Sequence, residues 1–200
     1  IYTGSDPASF RVNLKNASGV VWIDQFSISE VNYNPFVPQL KGVVPETLFG
    51  MHINRLGVHY KWPGLGTKVV RMWNTGTTWK DVQPARGTWS LARVDMYVDY
   101  VNRHDSSADI LMTLGQTPKW ASSSPELRGL FGDGASSAPS DINDWRMYVR
   151  TLARRYAGRV KYWELWNEPD YQPHWHGTPE ELVRLAKVAR EELIAADPSN

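Results

Sequence analysis

Apolar residues recur along the chain in two rhythms, and the change from one to the other sets the first boundary. Phe10-Arg11-Val12-Asn13-Leu14 alternates apolar and polar side chains. After the turn Asn16-Ala17-Ser18-Gly19 comes a longer run, Val20 to Ile28, with partial alternation. A period of two is the signature of β-strands with one covered face. Two strands alone are marginal in water, so residues 1–30 read as the closing strands of a β-sandwich whose other strands lie upstream. Residues 31–47, punctuated by Pro35, Pro38 and Pro45, read as a semi-stiff linker.

From Leu48 strands alternate with helices. Short apolar runs over Leu48–Ile53, Lys68–Trp73, Asp109–Leu114 and Val160–Trp166 are the predicted strands. Between them the period lengthens to that of a helix. Leu91, Val94, Tyr97, Val98 and Val101 share one face; Ile142, Trp145, Tyr148, Val149, Leu152 and Tyr156 share another, closed by Gly158. A last helix begins at Thr178-Pro179-Glu180-Glu181, where Thr178 caps and Glu181 completes a capping box. Its apolar face is Leu182, Leu185, Ala186, Ala189 and Leu193.

Such alternation demands a parallel sheet, closed as a barrel or open and doubly wound. No glycine-rich phosphate fingerprint follows any strand, which weakens the nucleotide-binding version. The expected class is therefore α/β, with residues 48–200 forming the first four βα units of a (β/α)8 TIM barrel. A whole barrel needs about 250 residues, so half of it is written here.

Composition narrows the function classes. The chain has 22 basic and 21 acidic residues, a net charge of +1, so no basic excess marks a nucleic-acid or membrane-surface partner. The absence of cysteine removes disulfides and thiolate metal sites. Ten tryptophans are the strongest bias; indole serves either as core filling or as a flat platform for a sugar ring.

In βα barrels the working residues lie at the carboxyl ends of strands. Here the four strand ends offer His52, Asn54 and Arg55; Arg71, Trp73 and Asn74; Gln116, Pro118 and Trp120; and Asn167, Glu168 and Pro169. In the last, a bulky apolar strand runs straight into a carboxylate. Cleaving a glycosidic bond needs a carboxylic acid beside the departing oxygen, and a neighbouring amide can bind a sugar hydroxyl. Glu164 lies four residues earlier, on the inward face by strand parity, and needs a cation or donors there. Arg71 is the candidate to supply them, as an alternative to a role toward substrate.

Phe49-Gly50-Met51-His52, Val70-Arg71-Met72-Trp73, Leu114-Gly115-Gln116-Thr117-Pro118-Lys119-Trp120 and Tyr162-Trp163-Glu164-Leu165-Trp166-Asn167-Glu168-Pro169 occur in that order. Together they resemble retaining barrel glycoside hydrolases of the Asn-Glu-Pro clan, family 39 above all. The resemblance implies that Glu168 is the acid/base and that Asn167 binds the hydroxyl beside the anomeric carbon. It also implies that Arg71 orients an ionised nucleophile, a Glu at the end of the seventh strand, beyond Asn200. No cofactor or metal is implied, and the 200 residues alone are expected to turn over no glycoside. Val20 to Ile28, with the preceding Gly19, resembles the last strand of a carbohydrate-binding β-sandwich module, which implies secretion.

His52, Trp73, Trp120 and Trp175 are the candidate sugar-lining residues, each with core packing as its alternative. Trp22, Trp145 and Trp163 are assigned to core or sheet faces. His174 and His176, with one residue between them and no third ligand in view, make a poor chelate. Ser122–Ser124 and Gly132–Ser140 form a long rim loop suited to shaping a substrate cleft. Two rivals stand beside hydrolysis: a non-catalytic carbohydrate-binding protein on the same scaffold, and a metal-dependent barrel hydrolase. Sugar identity, linkage and oligomeric state are left open.

Overall fold

The computed structural model describes residues 45–64 and 66–199. They belong to the second of the two units into which the chain divides, Val43–Asn200. The strands expected over residues 1–30, and the linker as far as residue 44, lie outside the described residues.

Four parallel strands make the sheet: β1 (Gly50–His52), β2 (Val69–Met72), β3 (Asp109–Leu114) and, after the small β4 (Arg128–Gly129) and β5 (Gly132–Asp133) hairpin, β6 (Tyr162–Leu165). Their order across the sheet is β1-β2-β3-β6. Each new barrel strand is thus added on the same side, with no reversal. A doubly wound sheet requires a reversal, and the uniform progression is the winding of a barrel. Helix α1 (Trp79–Val82) and α2 (Ala92–His104) connect β2 to β3, α3 (Ile142–Tyr156) connects β3 to β6, and α4 (Pro179–Ala196) follows.

The faces of α2 and α3 read from the sequence are those that the core uses, whereas α4 buries Leu185, Val188, Ala189 and Glu192 and leaves Leu182, Ala186 and Leu193 half-buried. Val94, Tyr97, Val98 and Val101 of α2, and Trp145, Tyr148, Val149, Leu152 and Tyr156 of α3, are buried against Val70, Met72, Ile110, Met112 and Leu114 of the sheet. Gly158 has φ +70°, the left-handed residue just beyond the end of α3. The capping box of α4 is formed: Glu181 N–H donates to Thr178 Oγ1 at 3.2 Å and Thr178 N–H to Glu181 Oε2 at 2.8 Å.

Two expectations are corrected. The first strand is shorter than Leu48–Ile53, because Glu46–Leu48 is a turn of 3-10 helix set by Pro45, and Leu48 N–H donates to Pro45 O at 2.9 Å. The connection from β1 to β2 contains no helix among the described residues; Gly57, Gly64 and Gly66 have positive φ there, and Pro63 interrupts further. Leu56, fully buried, pins this segment to the core.

Among the described residues β6 has no neighbour beyond β3, and a largely apolar cavity of about 520 Å³ opens between it and α4, lined by Leu111, Trp163, Leu165, Ala189 and Leu193 among others. On the other face of α4, buried Glu192 meets α3. It accepts from Arg146 Nη1 at 2.8 Å and from Arg150 Nε at 2.7 Å and Nη2 at 2.9 Å. The Arg150 bond chiefly, opposed by burial and aided by Arg146, holds this carboxyl at about 2 against an ordinary 4.5. Its stabilising contribution is complete above pH 4.5 and disappears as pH falls through about 2. Glu192→Gln should cost about 1–3 kcal/mol at neutral pH. That difference should shrink to nothing in acid, as urea unfolding curves at several pH values will read; a difference independent of pH would refute the role.

Candidate active site

The carboxyl end of the sheet is where the backbone departs from ordinary geometry. The non-glycine residues with positive φ are Asn74 (49°), Gln116 (60°), Trp166 (56°) and Glu168 (47°). Each lies just past a strand: β2 ends at Met72, β3 at Leu114 and β6 at Leu165. Left-handed backbone costs a side-chain-bearing residue about 1–3 kcal/mol and persists only where its surroundings impose it. For Trp166 the surroundings are visible. Its N–H donates to Leu114 O at 2.7 Å, and its indole N–H to His174 O at 2.8 Å. The ring packs edge-on to Trp175, with centroids 4.6 Å apart. Gly115 makes room for it, since a Cβ there would lie 3.1 Å from the indole.

Inside the sheet, Arg71 of β2 makes a two-pronged pair with Glu164 of β6, Nε to Oε2 and Nη2 to Oε1, each 2.7 Å. Thr113 of β3, opposite Glu164 in the register, donates to Oε2 at 2.7 Å. The same Arg71 Nη2 donates to Asn167 Oδ1 at 2.7 Å. Pairing with Glu164 and proximity to the candidate site are therefore both properties of Arg71, where the sequence had set them against each other. Burial alone would push Glu164 upward. The Arg71 and Thr113 hydrogen bonds and the Arg71 and His52 charges outweigh it and hold this carboxyl below its ordinary range.

Glu168 differs in every respect. Its side chain is 63% exposed, and its contact among the described residues is His174, with Nδ1 at 3.2 Å from Oε2. Asn167, buried beside it, also meets His174 Nδ1, through Nδ2 and through its carbonyl oxygen, both at 3.1 Å. His174 is 7% exposed and lies among Phe131, Tyr171 and Trp73, at centroid distances of 5.0, 5.3 and 6.1 Å. Tyr171 is itself fixed to the acid's backbone, its N–H donating to Glu168 O at 3.0 Å.

The remaining candidates divide. His52, exposed at the end of β1, pairs in register with Arg71, and its Nε2 meets the Trp73 carbonyl oxygen. Trp73 is 8% exposed and packs edge-on to Phe131, so it walls the site from within. Trp120 donates its indole N–H to Gln83 O at 2.8 Å, and Arg86 covers its ring at 4.9 Å. It belongs with Trp79 and α1 more than with Glu168. Trp175 is 5% exposed and part of the core. A sugar platform needs an open face, so its packing alternative is the one seen. The rim loop is laced down by its hydroxyls, Thr117 to Ser137 O and Ser136 to Pro173 O, both 2.6 Å. Among the described residues no three His, Asp or Glu converge as metal ligands, and no helix is long and apolar enough to cross a membrane.

His174, Phe131 and Tyr171 escaped the sequence reading as site residues. By sequence His174 offers only half of a poor chelate; its position six residues after Glu168, in the same loop, is the usable signal.

No family model matches the chain. The endo-1,4-beta-xylanase A of Caldicellulosiruptor sp. (strain Rt8B.4) is 26% identical over 91 residues, 44% of this chain and 13% of that protein. A solved glucosidase from Croceicoccus marinus aligns with TM-score 0.50 at 17% identity, covering 66% of this chain and 29% of its own. A family 39 glycoside hydrolase from the gut symbiont Bacteroides cellulosilyticus WH2 aligns with TM-score 0.48 at 21% identity, over 67% of this chain and 25% of its own. The fold is a partial (β/α)8 barrel. The chain spans less than a third of each of these proteins.

Arg71→Met should destabilise the unit by about 2–4 kcal/mol, because it leaves Glu164 partly buried without its cation. Arg71→Lys keeps the charge but not the fork, and should fall between. The loss should fade as acid neutralises Glu164, whose contribution is present above the ordinary carboxyl range and goes as pH falls through its lowered value. Urea midpoints of the three proteins decide it; an unchanged midpoint for Arg71→Met would sink the assignment.

Proposed function

We propose that this chain is part of a glycoside hydrolase that cleaves O-glycosidic bonds in an oligo- or polysaccharide with retention of configuration. The observation that carries the reading is the division of labour between two carboxylates four residues apart. Glu164 has both oxygens engaged by Arg71 and Thr113 and is held ionised, which unfits it to give a proton. Glu168 stands open at the mouth of the half-barrel on strained backbone, beside a buried Asn167 whose amide is oriented by Arg71. With both oxygens of Glu164 engaged and Glu168 open to a ligand, only Glu168 is placed to exchange a proton with a substrate.

In the proposed reaction a second Glu, outside residues 1–200, attacks the anomeric carbon while Glu168 protonates the departing oxygen. Glu168 then takes a proton from water as that water releases the sugar. The two catalytic carboxyl groups would lie about 5–5.5 Å apart, the spacing of retaining enzymes. Asn167 binds the hydroxyl beside the anomeric carbon. Arg71, whose Nη1 has no partner among the described residues, orients the nucleophile. His52 and Trp73 line the sugar subsite, with Trp120 at its margin. The likeness to a xylanase and to the fold of a glucosidase supports a carbohydrate substrate. We further infer that residues 1–30 end a carbohydrate-binding module and that the protein is secreted.

The test uses the longer chain that carries the nucleophile. Glu168→Ala should lower kcat/KM on glycosides of poor leaving groups by about 10²–10⁴-fold. It should spare kcat/KM on dinitrophenyl glycosides, which need no acid, and azide should restore turnover by giving a glycosyl azide of retained configuration. Unchanged hydrolysis of poor leaving groups, or an inverted sugar product, would overturn the proposal.

A further inference from the structure

The buried histidine beside Glu168 is unused by the mechanism above, and its surroundings give it a task. The imidazole of His174 is 7% exposed. Its backbone is fixed at both ends, its N–H donating to Tyr171 O at 2.8 Å and its carbonyl accepting from the Trp166 indole at 2.8 Å. Phe131, Tyr171 and Trp73 surround the ring. A ring so confined presents one nitrogen, Nδ1, to one place.

Three groups meet at that nitrogen: Glu168 Oε2 at 3.2 Å, Asn167 O at 3.1 Å and Asn167 Nδ2 at 3.1 Å. The orientation of the Asn167 amide is settled by Arg71, which can only donate and therefore selects Oδ1. A proton on Nδ1 is shared between the Asn167 carbonyl oxygen and Glu168 Oε2; a bare Nδ1 accepts from Asn167 Nδ2 instead. It is the protonated Nδ1 that joins the ionised carboxylate of the proposed acid to the backbone of Asn167. Its charged surroundings among the described residues are Glu168 directly and Arg71 by way of Asn167; Tyr171 adds a phenol, and Trp73 and Phe131 are uncharged.

We propose that His174 is the positioning residue of Glu168, holding Oε2 at Nδ1 so that Oε1 faces the departing oxygen. An exposed glutamate left to itself samples several rotamers, and proton transfer needs one of them, within about 2.6–3.2 Å of the glycosidic oxygen. Confinement of one oxygen removes most of that search. The inference rests on Glu168 being the acid/base.

The experiment compares His174→Phe and His174→Asn with the unaltered enzyme, in the longer chain, on two substrates. Phe keeps the ring and loses the nitrogen; Asn places an amide nitrogen near the position of Nδ1. With a methyl or sugar leaving group, His174→Phe should lose about 10- to 100-fold in kcat/KM, the size of a misplaced catalytic group. With a dinitrophenyl leaving group it should stay within about twofold, because no acid is needed there. His174→Asn should recover most of the loss on the poor leaving group. Equal losses on both substrates, matched by a lowered Tm and shared by His174→Asn, would show a purely structural histidine and overturn the proposal. So would full activity of His174→Phe on the poor leaving group. Glu168→Ala, run alongside, separates the two readings. If it loses acid-dependent activity while His174→Phe does not, only the histidine inference fails; if it loses none, the acid/base assignment itself fails.

Discussion

The pair between Arg71 and Glu164 is the constraint on which this half-barrel's working end depends. It spans three strands, because Thr113 of β3 donates to the same carboxylate that Arg71 of β2 grips from the other side. A guanidinium and a carboxylate withdrawn from water repay desolvation only when geometry is good and the remaining hydrogen-bonding positions are filled. The geometry is good here, and Thr113 and Asn167 fill further positions around the pair, leaving Arg71 Nη1 over. A point charge such as Lys could not grip both Glu164 oxygens and still reach Asn167 Oδ1. The pair thus ties the strands together and sets the amide of the residue next to the proposed acid.

Most of the scaffold was legible because burial enforces periodicity. The strand Asp109–Leu114 and the apolar faces of α2 and α3 appear where the rhythm put them. The start of α4 follows its capping residues. What was not legible has a common physical origin. Beyond Leu165 the strand parity that turns Glu164 inward no longer applies, because Trp166 and Glu168 take left-handed backbone. Periodicity counts residues and assumes each turns the chain alike; a positive φ breaks that count. The first connection failed similarly, since its glycines and Pro63 replace a helix with successive turns.

Side chains carried by loops were harder still. Phe131 lies in the β4–β5 turn and Tyr171 and His174 in the loop after β6, and no pattern in the sequence says which loop residues fold inward. The strand-end position of Glu168 could be anticipated from its neighbours in sequence. Its partner could not, because the choice of histidine depended on how the loop closes. The indole platforms show the converse. Trp175 resembles a sugar platform only until the chain folds, when Trp166 and the core cover it.

An acid at a strand end is commonplace, and a solvated one would relax to an extended or helical conformation. Glu168 is denied that freedom from both sides. Behind it, Trp166 is locked by Leu114 O, by His174 O and by the space that Gly115 leaves open. Ahead of it, Tyr171 N–H binds the Glu168 carbonyl oxygen at 3.0 Å. Two left-handed residues within three positions, each costing about 1–3 kcal/mol, need such compensation to persist. A carbohydrate-binding surface without chemistry would gain little from fixing one exposed carboxylate so firmly, since hydroxyls are bound well by ordinary rotamers and by water. Proton transfer in flight tolerates far less error. The strain around Glu168 therefore favours a catalytic use of this end of the sheet over a merely adhesive one.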